Sequence, residues 1–233
     1  MIPLRDSEAT RRLTLANTIL IVANIAVFAL EVKLGRHAGP ILARYAMVPA
    51  QVTRLRFAAP QHALATLATL ITATFLHAGF FHIAGNLLYL FIFGPAVEER
   101  FGAPRYLFFY FSAAVAAGLA MIAMGPNSIV PVIGASGAIA GVLGAYFVLY
   151  PRGRITTILP LLIIWPMIDI SAYFYLLFWF GAQLYAGIMA GAQGPLLGGV
   201  AWWAHVGGFL FGVALGPMLA RARAVPARRI RRA

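Results

Sequence analysis

Four polar residues within long apolar stretches of this sequence have the types needed for acyl-transfer chemistry. Ser136 lies in GASGAIAG, His205 lies in AHVGGFLFG, and His82 and Asn86 lie four residues apart in HIAGNLLYLFIFG. A serine hydroxyl becomes a nucleophile when a neighbouring histidine accepts its proton. We therefore predict Ser136 as the nucleophile and His205 as its general base. The donors to the resulting oxyanion are then His82, Asn86 and the Ser136 backbone N–H.

The composition places these residues in a membrane protein. Of the 233 residues, 62% are hydrophobic and 10% are charged, whereas soluble domains carry about 25% charged residues. Six apolar stretches approach the ~20 residues that a helix needs to cross the hydrocarbon core. We expect an all-α, polytopic membrane protein whose six spans are residues 13–32, 80–97, 105–124, 135–150, 171–190 and 201–219.

The distribution of Lys and Arg predicts the orientation of these spans. With a cytoplasmic N-terminus, thirteen of these residues lie in inside segments and five lie in outside segments. The positive-inside rule therefore predicts N-in/C-in topology. The expected parts are a short basic cytoplasmic N-terminus (1–12), a membrane domain (13–219) and a basic cytoplasmic tail (220–233). Because topology signals account for the net charge of +12, we expect the lipid bilayer and no nucleic acid as a partner.

The predicted topology brings the four polar residues to one depth. The second, fourth and sixth spans all run from the outside inwards, and the four residues fall near their outer ends. Gly137 and Gly141 are four residues apart in the fourth span, as are Gly208 and Gly212 in the sixth. Small residues at this spacing let helix backbones approach closely. If these faces pack together, the serine and the second histidine come within hydrogen-bond reach.

Two apolar segments fit the six-span scheme poorly. Residues 63–79 continue into the second span, and together the two are too long for one crossing and too short for two. Residues 155–168 contain two prolines and precede the fifth span. We interpret 63–79 as an interfacial or half-inserted segment and 155–168 as interfacial.

Some conspicuous side chains are expected to have structural roles. Glu98 ends the second span beside Arg100 and is interpreted as part of a solvated helix end. His77 precedes His82 by five residues, which predicts different faces and argues against a metal pair. Trp202 and its neighbour Trp203 are interpreted as an interfacial aromatic belt.

Other protease chemistries lack the residues they need. No histidine is followed by glutamate, as an HExxH zinc site requires. The aspartates are Asp6, near the N-terminus, and Asp169, alone at the edge of the fifth span. The sole lysine, Lys33, lies in an outer loop. We therefore expect a Ser-His dyad, with no metal and no organic cofactor.

Five motifs follow one another over about residues 70 to 216, namely FLHAGFFHIAGNLLYLFIFG, VEERFG, GASGAIAG, YPRGR and AHVGGFLFG. In these motifs and their order, the chain resembles the rhomboid family of intramembrane serine proteases. The resemblance implies a six-helix bundle whose water-filled cavity opens to the outer side, and it assigns the same roles to the four polar residues. The implied reaction is hydrolysis of a peptide bond in or near the transmembrane segment of a single-span protein. It also implies that the fifth span and residues 191–200 gate substrate access.

One departure from the family pattern concerns the general base. Some members carry a tyrosine four residues after the serine, which stacks on the histidine, and this chain has Ala140 there. Another group must therefore orient His205.

Two other functions fit the same pattern. One is a rhomboid-like protein that binds membrane clients without cutting them, although such relatives are expected to lack the serine or histidine. The other is a small transporter, although no inverted repeat is visible and the polar cluster lies on one side. The Ala- and Arg-rich composition indicates a GC-rich bacterium, which makes a bacterial inner membrane the expected location.

Overall fold

Helices form most of the chain in the computed structural model, which describes residues 1–8, 14–55, 60–160, 165–193 and 200–220. The helices are α1 Leu15–Leu34, α2 Gly39–Tyr45, α3 Pro49–Thr53, α4 Pro60–Thr72, α5 Phe80–Phe101, α6 Ala103–Met124, α7 Ser136–Leu149, α8 Ala172–Gln193 and α9 Trp202–Leu219. Short 3-10 turns follow α1 and α4. The strands are β1 Ile2–Asp6, β2 Arg154–Ile158 and β3 Met167–Ser171. The predicted class, a helical membrane bundle, is confirmed.

Six of these helices correspond to the six predicted spans. Within the described residues, α1, α5, α6, α8 and α9 are long and apolar enough to cross a membrane. The remaining helix, α7, corresponds to the predicted fourth span and has only 14 residues. At 1.5 Å per residue it is about 21 Å long, against a hydrocarbon core of about 30 Å. The fourth span is therefore shorter than the predicted 135–150, and α7 cannot reach both surfaces.

The short helix α7 is the centre of the bundle. Every residue from Gly137 to Tyr146 is buried, and α7 packs against α5, α6 and α9. A helix that is apolar on all sides belongs in an interior, and this explains why α7 has no polar face.

Glycines allow backbones to touch where α7 meets its neighbours. A Cβ added at Gly208 or Gly212 of α9 would collide with the carbonyl oxygen of Gly137 or Gly141, respectively. On the side facing α6, a Cβ at Gly137 would lie 2.7 Å from the Cβ of Ala117. The small residues of α7 therefore serve two contacts at once, with α9 and with α6.

A three-stranded antiparallel sheet, which the sequence analysis did not predict, lies at the end of α7 opposite Ser136. β2 pairs with β1 and with β3. The Tyr146 hydroxyl of α7 donates to the Asp6 carboxylate of β1 at 2.9 Å. The expected interfacial segment 155–168 thus contributes β2 and part of β3, and the N-terminal residues are bound to it. The run RITTI in β2 is rich in β-branched residues, a strand signal that the prolines nearby obscured.

The expectation of a solvated end at Glu98 is wrong. Glu98 is 5% exposed, and its carboxylate accepts hydrogen bonds from the backbone N–H groups of Ala16, at 3.1 Å, and Asn17, at 2.7 Å. The first N–H groups of a helix lack intrahelical partners and attract negative charge. Glu98 on α5 therefore caps the N-terminus of α1.

The segment predicted as interfacial, 63–79, is a separate element rather than an extension of α5. It contains most of α4 and the turn Ala73–Phe75, and α5 begins only at Phe80. Leu64, Leu67 and Ile71 are exposed on α4, with the spacing of one helix face. Its depth in the membrane stays a prediction.

We expect Gly212→Ala to destabilise the bundle, because its Cβ meets backbone that cannot rotate away. Overpacking of this kind lowers the free energy of unfolding by about 1–3 kcal/mol. Gly181→Ala is the matched control, since a Cβ at Gly181 on α8 meets nothing within 4 Å. Thermal unfolding in detergent should show a lower midpoint for Gly212→Ala and no loss for Gly181→Ala. Equal midpoints for the two variants would contradict the close contact.

Candidate active site

Ser136 is the first residue of α7, at the helix N-terminus that faces away from the sheet. Gly134, two residues earlier, has φ of +114°, a conformation that favours glycine. The Gly134 N–H donates to the carbonyl of Ala73 at 2.9 Å, which ties this loop to the turn after α4. The Ser136 backbone N–H is one of the N-terminal donors that a helix leaves unpaired.

Ser136 and His205 are joined by a hydrogen bond. The Ser136 hydroxyl donates to His205 Nε2 at 2.7 Å, although the residues are 69 positions apart in the chain. His205 lies in the first turn of α9 and is 8% exposed. The glycine contacts between α7 and α9 bring the first turns of the two helices together. The spacing of Gly137, Gly141 and the α9 glycines had predicted this approach on the condition that these faces pack against each other.

The other ring nitrogen of His205 has a partner that the sequence analysis missed. His205 Nδ1–H donates to Gln183 Oε1 on α8 at 2.7 Å. This bond leaves Nε2 without a proton, which is the tautomer able to accept one from Ser136. Gln183 is a lone glutamine in an otherwise apolar span, and this pattern could have indicated a functional residue.

Two tryptophan rings flank the ring of His205, beside which position 140 supplies no tyrosine. The centroid of Trp179 on α8 lies 6.0 Å away, and that of Trp202 lies 6.1 Å away at an interplanar angle of 88°. The ring of Trp202 thus lies beside the histidine, and its place in an interfacial belt stays a prediction. Residue 140, an alanine, is fully buried.

His82 and Asn86 of α5 face the loop before Ser136. A Cβ built on Gly134 would lie 2.6 Å from His82 Nε2 and 3.5 Å from Asn86 Nδ2. The backbone N–H of Ala78 donates to His82 Nδ1 at 3.3 Å, so Nε2 carries the proton and can donate. Asn86 Nδ2 is buried and has no hydrogen-bond partner among the described residues. Both side chains therefore place an N–H group at the wall of the cavity described below.

These groups line one cavity of about 520 Å³. Its walls are mostly apolar, and its polar groups converge on Ser136, which is the usual character of a ligand site. A second cavity of about 320 Å³ shares Ala78, His82, Ile133, Val200 and Ala201 with the first. Most of the segment 191–200, expected to gate access, lies outside the described residues. In the described part of the chain, no cluster of His, Asp or Glu side chains is placed to hold a metal ion.

The expectation that His77 and His82 lie on different faces of one helix is wrong. His77 precedes α5 and is not helical, so the helical spacing does not apply, and its ring centroid lies 5.1 Å from that of His82. Its backbone N–H donates to the Glu31 carboxylate at 3.3 Å. Burial, with a smaller contribution from His82, lowers the pKa of His77 from 6.5 to about 4.

The comparisons with known proteins agree with this architecture. The sequence matches the Rhomboid domain over residues 64–222, more than half of the chain. The chain therefore belongs to the rhomboid family and is an integral, multi-pass membrane protein.

Three relatives show how far the likeness extends. The chain is 42% identical over 76 residues to Rhomboid protease GluP of Bacillus subtilis, covering 33% of this chain and 14% of that protein. It is 31% identical over 160 residues to the yeast (Saccharomyces cerevisiae) Rhomboid protein 1, mitochondrial, covering 66% and 42%. It is 29% identical over 207 residues to the human Presenilin-associated rhomboid-like protein, mitochondrial, covering 84% and 46%. The matches thus span less than half the length of each relative.

Acidification should destabilise the fold through His77. The unfolded chain takes up a proton on this residue near pH 6.5, and the folded chain only near pH 4. The contribution of His77 to stability is therefore complete above pH 6.5 and is lost as the pH falls towards 4. Midpoints of thermal unfolding, measured across this window, should fall more steeply for the wild type than for His77→Gln. Parallel curves would show that His77 does not titrate in this way.

Proposed function

We propose that this rhomboid-family protein is an intramembrane serine endopeptidase. It hydrolyses a peptide bond in or near the transmembrane segment of single-span membrane proteins. The observation that carries the proposal is the 2.7 Å hydrogen bond from the Ser136 hydroxyl to His205 Nε2 at the edge of a cavity. Two further features support it: the Gln183 oxygen beside His205 Nδ1, which favours a proton on that nitrogen, and the N–H groups of His82 and Asn86 at the cavity.

The first half of the reaction forms an acyl-enzyme. Ser136 Oγ attacks the scissile carbonyl carbon while its proton passes to His205 Nε2. The carbonyl oxygen becomes an oxyanion, which accepts hydrogen bonds from His82 Nε2–H, Asn86 Nδ2–H and the Ser136 backbone N–H. His205 then gives its proton to the leaving nitrogen as the C–N bond breaks, and the C-terminal product departs.

The second half releases the serine. Water attacks the acyl carbon and gives a proton to His205 Nε2, and a second oxyanion forms at the same donors. When it collapses, the Ser136 oxygen leaves and recovers its proton from His205. Apart from the substrate and water, every group in this cycle belongs to the chain itself, so the proposed reaction uses no metal and no organic cofactor.

The short length of α7 accounts for a reaction with water inside a membrane. If the sheet end lies at the inner surface, a 21 Å helix leaves Ser136 roughly 10 Å below the outer edge of the hydrocarbon core. Water can then reach the serine through the cavity from the outer side. In the proposed arrangement both termini are cytoplasmic and the membrane is a bacterial inner membrane.

Loss of either dyad residue should abolish cleavage. A quenched fluorescent single-span helix, co-reconstituted in liposomes, should be cut by the wild type and only at background by Ser136→Ala or His205→Ala. The double variant should be no worse, because the two residues act as a unit. Ser112→Ala is the control, since this α6 serine has no role in the mechanism, and it should retain activity. Cleavage by Ser136→Ala at the wild-type rate would contradict the proposal.

Removal of one oxyanion donor should slow the chemistry and leave substrate binding unchanged. We expect Asn86→Ala to lower kcat by about 100-fold or less with little change in KM, since the missing hydrogen bond forms only as negative charge develops. Steady-state kinetics with the same substrate measures both constants. A rise in KM with unchanged kcat would assign Asn86 to substrate binding instead.

A further inference from the structure

The Nδ1 partner of His205 comes from a different helix than either member of the dyad. Gln183 lies on α8, whereas Ser136 begins α7 and His205 lies on α9. Gln183 is 9% exposed, and a buried amide is destabilising unless it is hydrogen-bonded. Its carbonyl oxygen is paired with His205 at 2.7 Å. This contact therefore links the position of α8 to the state of the general base.

We infer that Gln183 is the positioning residue for His205 and that the dyad is aligned only while α8 is seated against α9. This inference rests on the proposed function. A neutral imidazole has two tautomers, and only the one protonated at Nδ1 can accept the Ser136 proton at Nε2. An acceptor at Nδ1 selects that tautomer and also fixes the rotation of the ring.

The residues around Gln183 form one stripe of α8. Trp179, Gln183 and Gly187 recur at intervals of four, which places them on the same helix face. Trp179 contacts the His205 ring. A Cβ on Gly187 would lie 3.3 Å from the Trp203 ring of α9, so the glycine permits the close approach of the two helices. This stripe both seats α8 and holds the histidine.

The inner half of α8 is held independently of this stripe. The Tyr89 and Tyr175 hydroxyls are hydrogen-bonded at 3.0 Å, which ties α8 to α5 near the sheet end. A displacement of the outer half of α8 away from α9 would carry Gln183 away from His205 while this link remained. The dyad would then lose its Nδ1 acceptor, and the serine would lose its base.

The kinetic test compares two changes at Gln183. Gln183→Met keeps the length of the side chain and removes the acceptor, so kcat should fall about 10- to 100-fold, the effect of one buried hydrogen bond, while KM stays nearly constant. Gln183→Glu keeps an acceptor and should retain more activity than Gln183→Met. Tyr185→Ala, an exposed position two residues further along α8, is the control and should keep the wild-type kcat.

The pH profile separates positioning from a merely structural role. The Gln183→Glu carboxylate would stabilise the imidazolium of His205, so the acid limb of the kcat profile should move to higher pH. The other titratable side chains lining the cavity, His82 and Tyr89 of α5, are unchanged in every variant. If Gln183→Met does not fold, this shift still tests the inference, and an unmoved profile in folded Gln183→Glu would overturn it.

A substrate-free measurement separates this inference from the proposed function. In protein labelled with ¹⁵N-histidine, with His205 assigned by comparison with His205→Ala, the wild type should show His205 protonated at Nδ1. Gln183→Met should show a mixture of both tautomers. A wild type that cleaves, with kcat and tautomer unchanged in Gln183→Met, would overturn the positioning role alone. If the wild type never cleaves but Gln183→Met loses the Nδ1 tautomer, the positioning role of Gln183 is upheld and the proposed protease activity is overturned.

Discussion

The site depends on the backbone contact between α7 and α9. Gly208 and Gly212 of α9 lie against the carbonyl oxygens of Gly137 and Gly141, and no side chain with a Cβ fits there. Because the backbones touch, the first turns of the two helices are close enough for a 2.7 Å hydrogen bond between their side chains. Van der Waals contact of this kind is one of the attractions that drive helices together in lipid. The spacing of small residues therefore determines how closely Ser136 and His205 approach each other.

Around this contact, polar groups in the bundle are used to fix elements that apolar packing alone would leave free. Glu98 caps α1, the Tyr146 hydroxyl ties α7 to the N-terminal strand through Asp6, and Gln183 binds His205. Asn86 differs from these, because its Nδ2 lies at the cavity without a hydrogen-bond partner among the described residues. In the proposed reaction, a donor positioned in this way needs no reorganisation when charge develops on the oxyanion.

Much of the fold and of the site could be predicted from the sequence, because these features depend on local sequence patterns. The lengths of the apolar stretches predicted six helices of the bundle, and the predicted topology placed Ser136 and His205 at one depth. The sheet was missed since the partners of β1 lie about 150 residues away. Gln183 was missed because α8 is apolar on nearly all sides, so its sequence does not show which face meets α9. Glu98 was misread for a similar reason, since a charged helix end looks the same whether water or another helix covers it.

The central claim is that Ser136 is an activated nucleophile. It is tested most directly by reacting the folded protein with a fluorophosphonate and locating the adduct by mass spectrometry. The account predicts a single phosphonylated serine, Ser136, and no adduct in His205→Ala. Labelling that is absent from the folded wild type, or spread equally over Ser112, Ser128 and Ser136, would contradict it and would favour a rhomboid that binds membrane clients without cutting them.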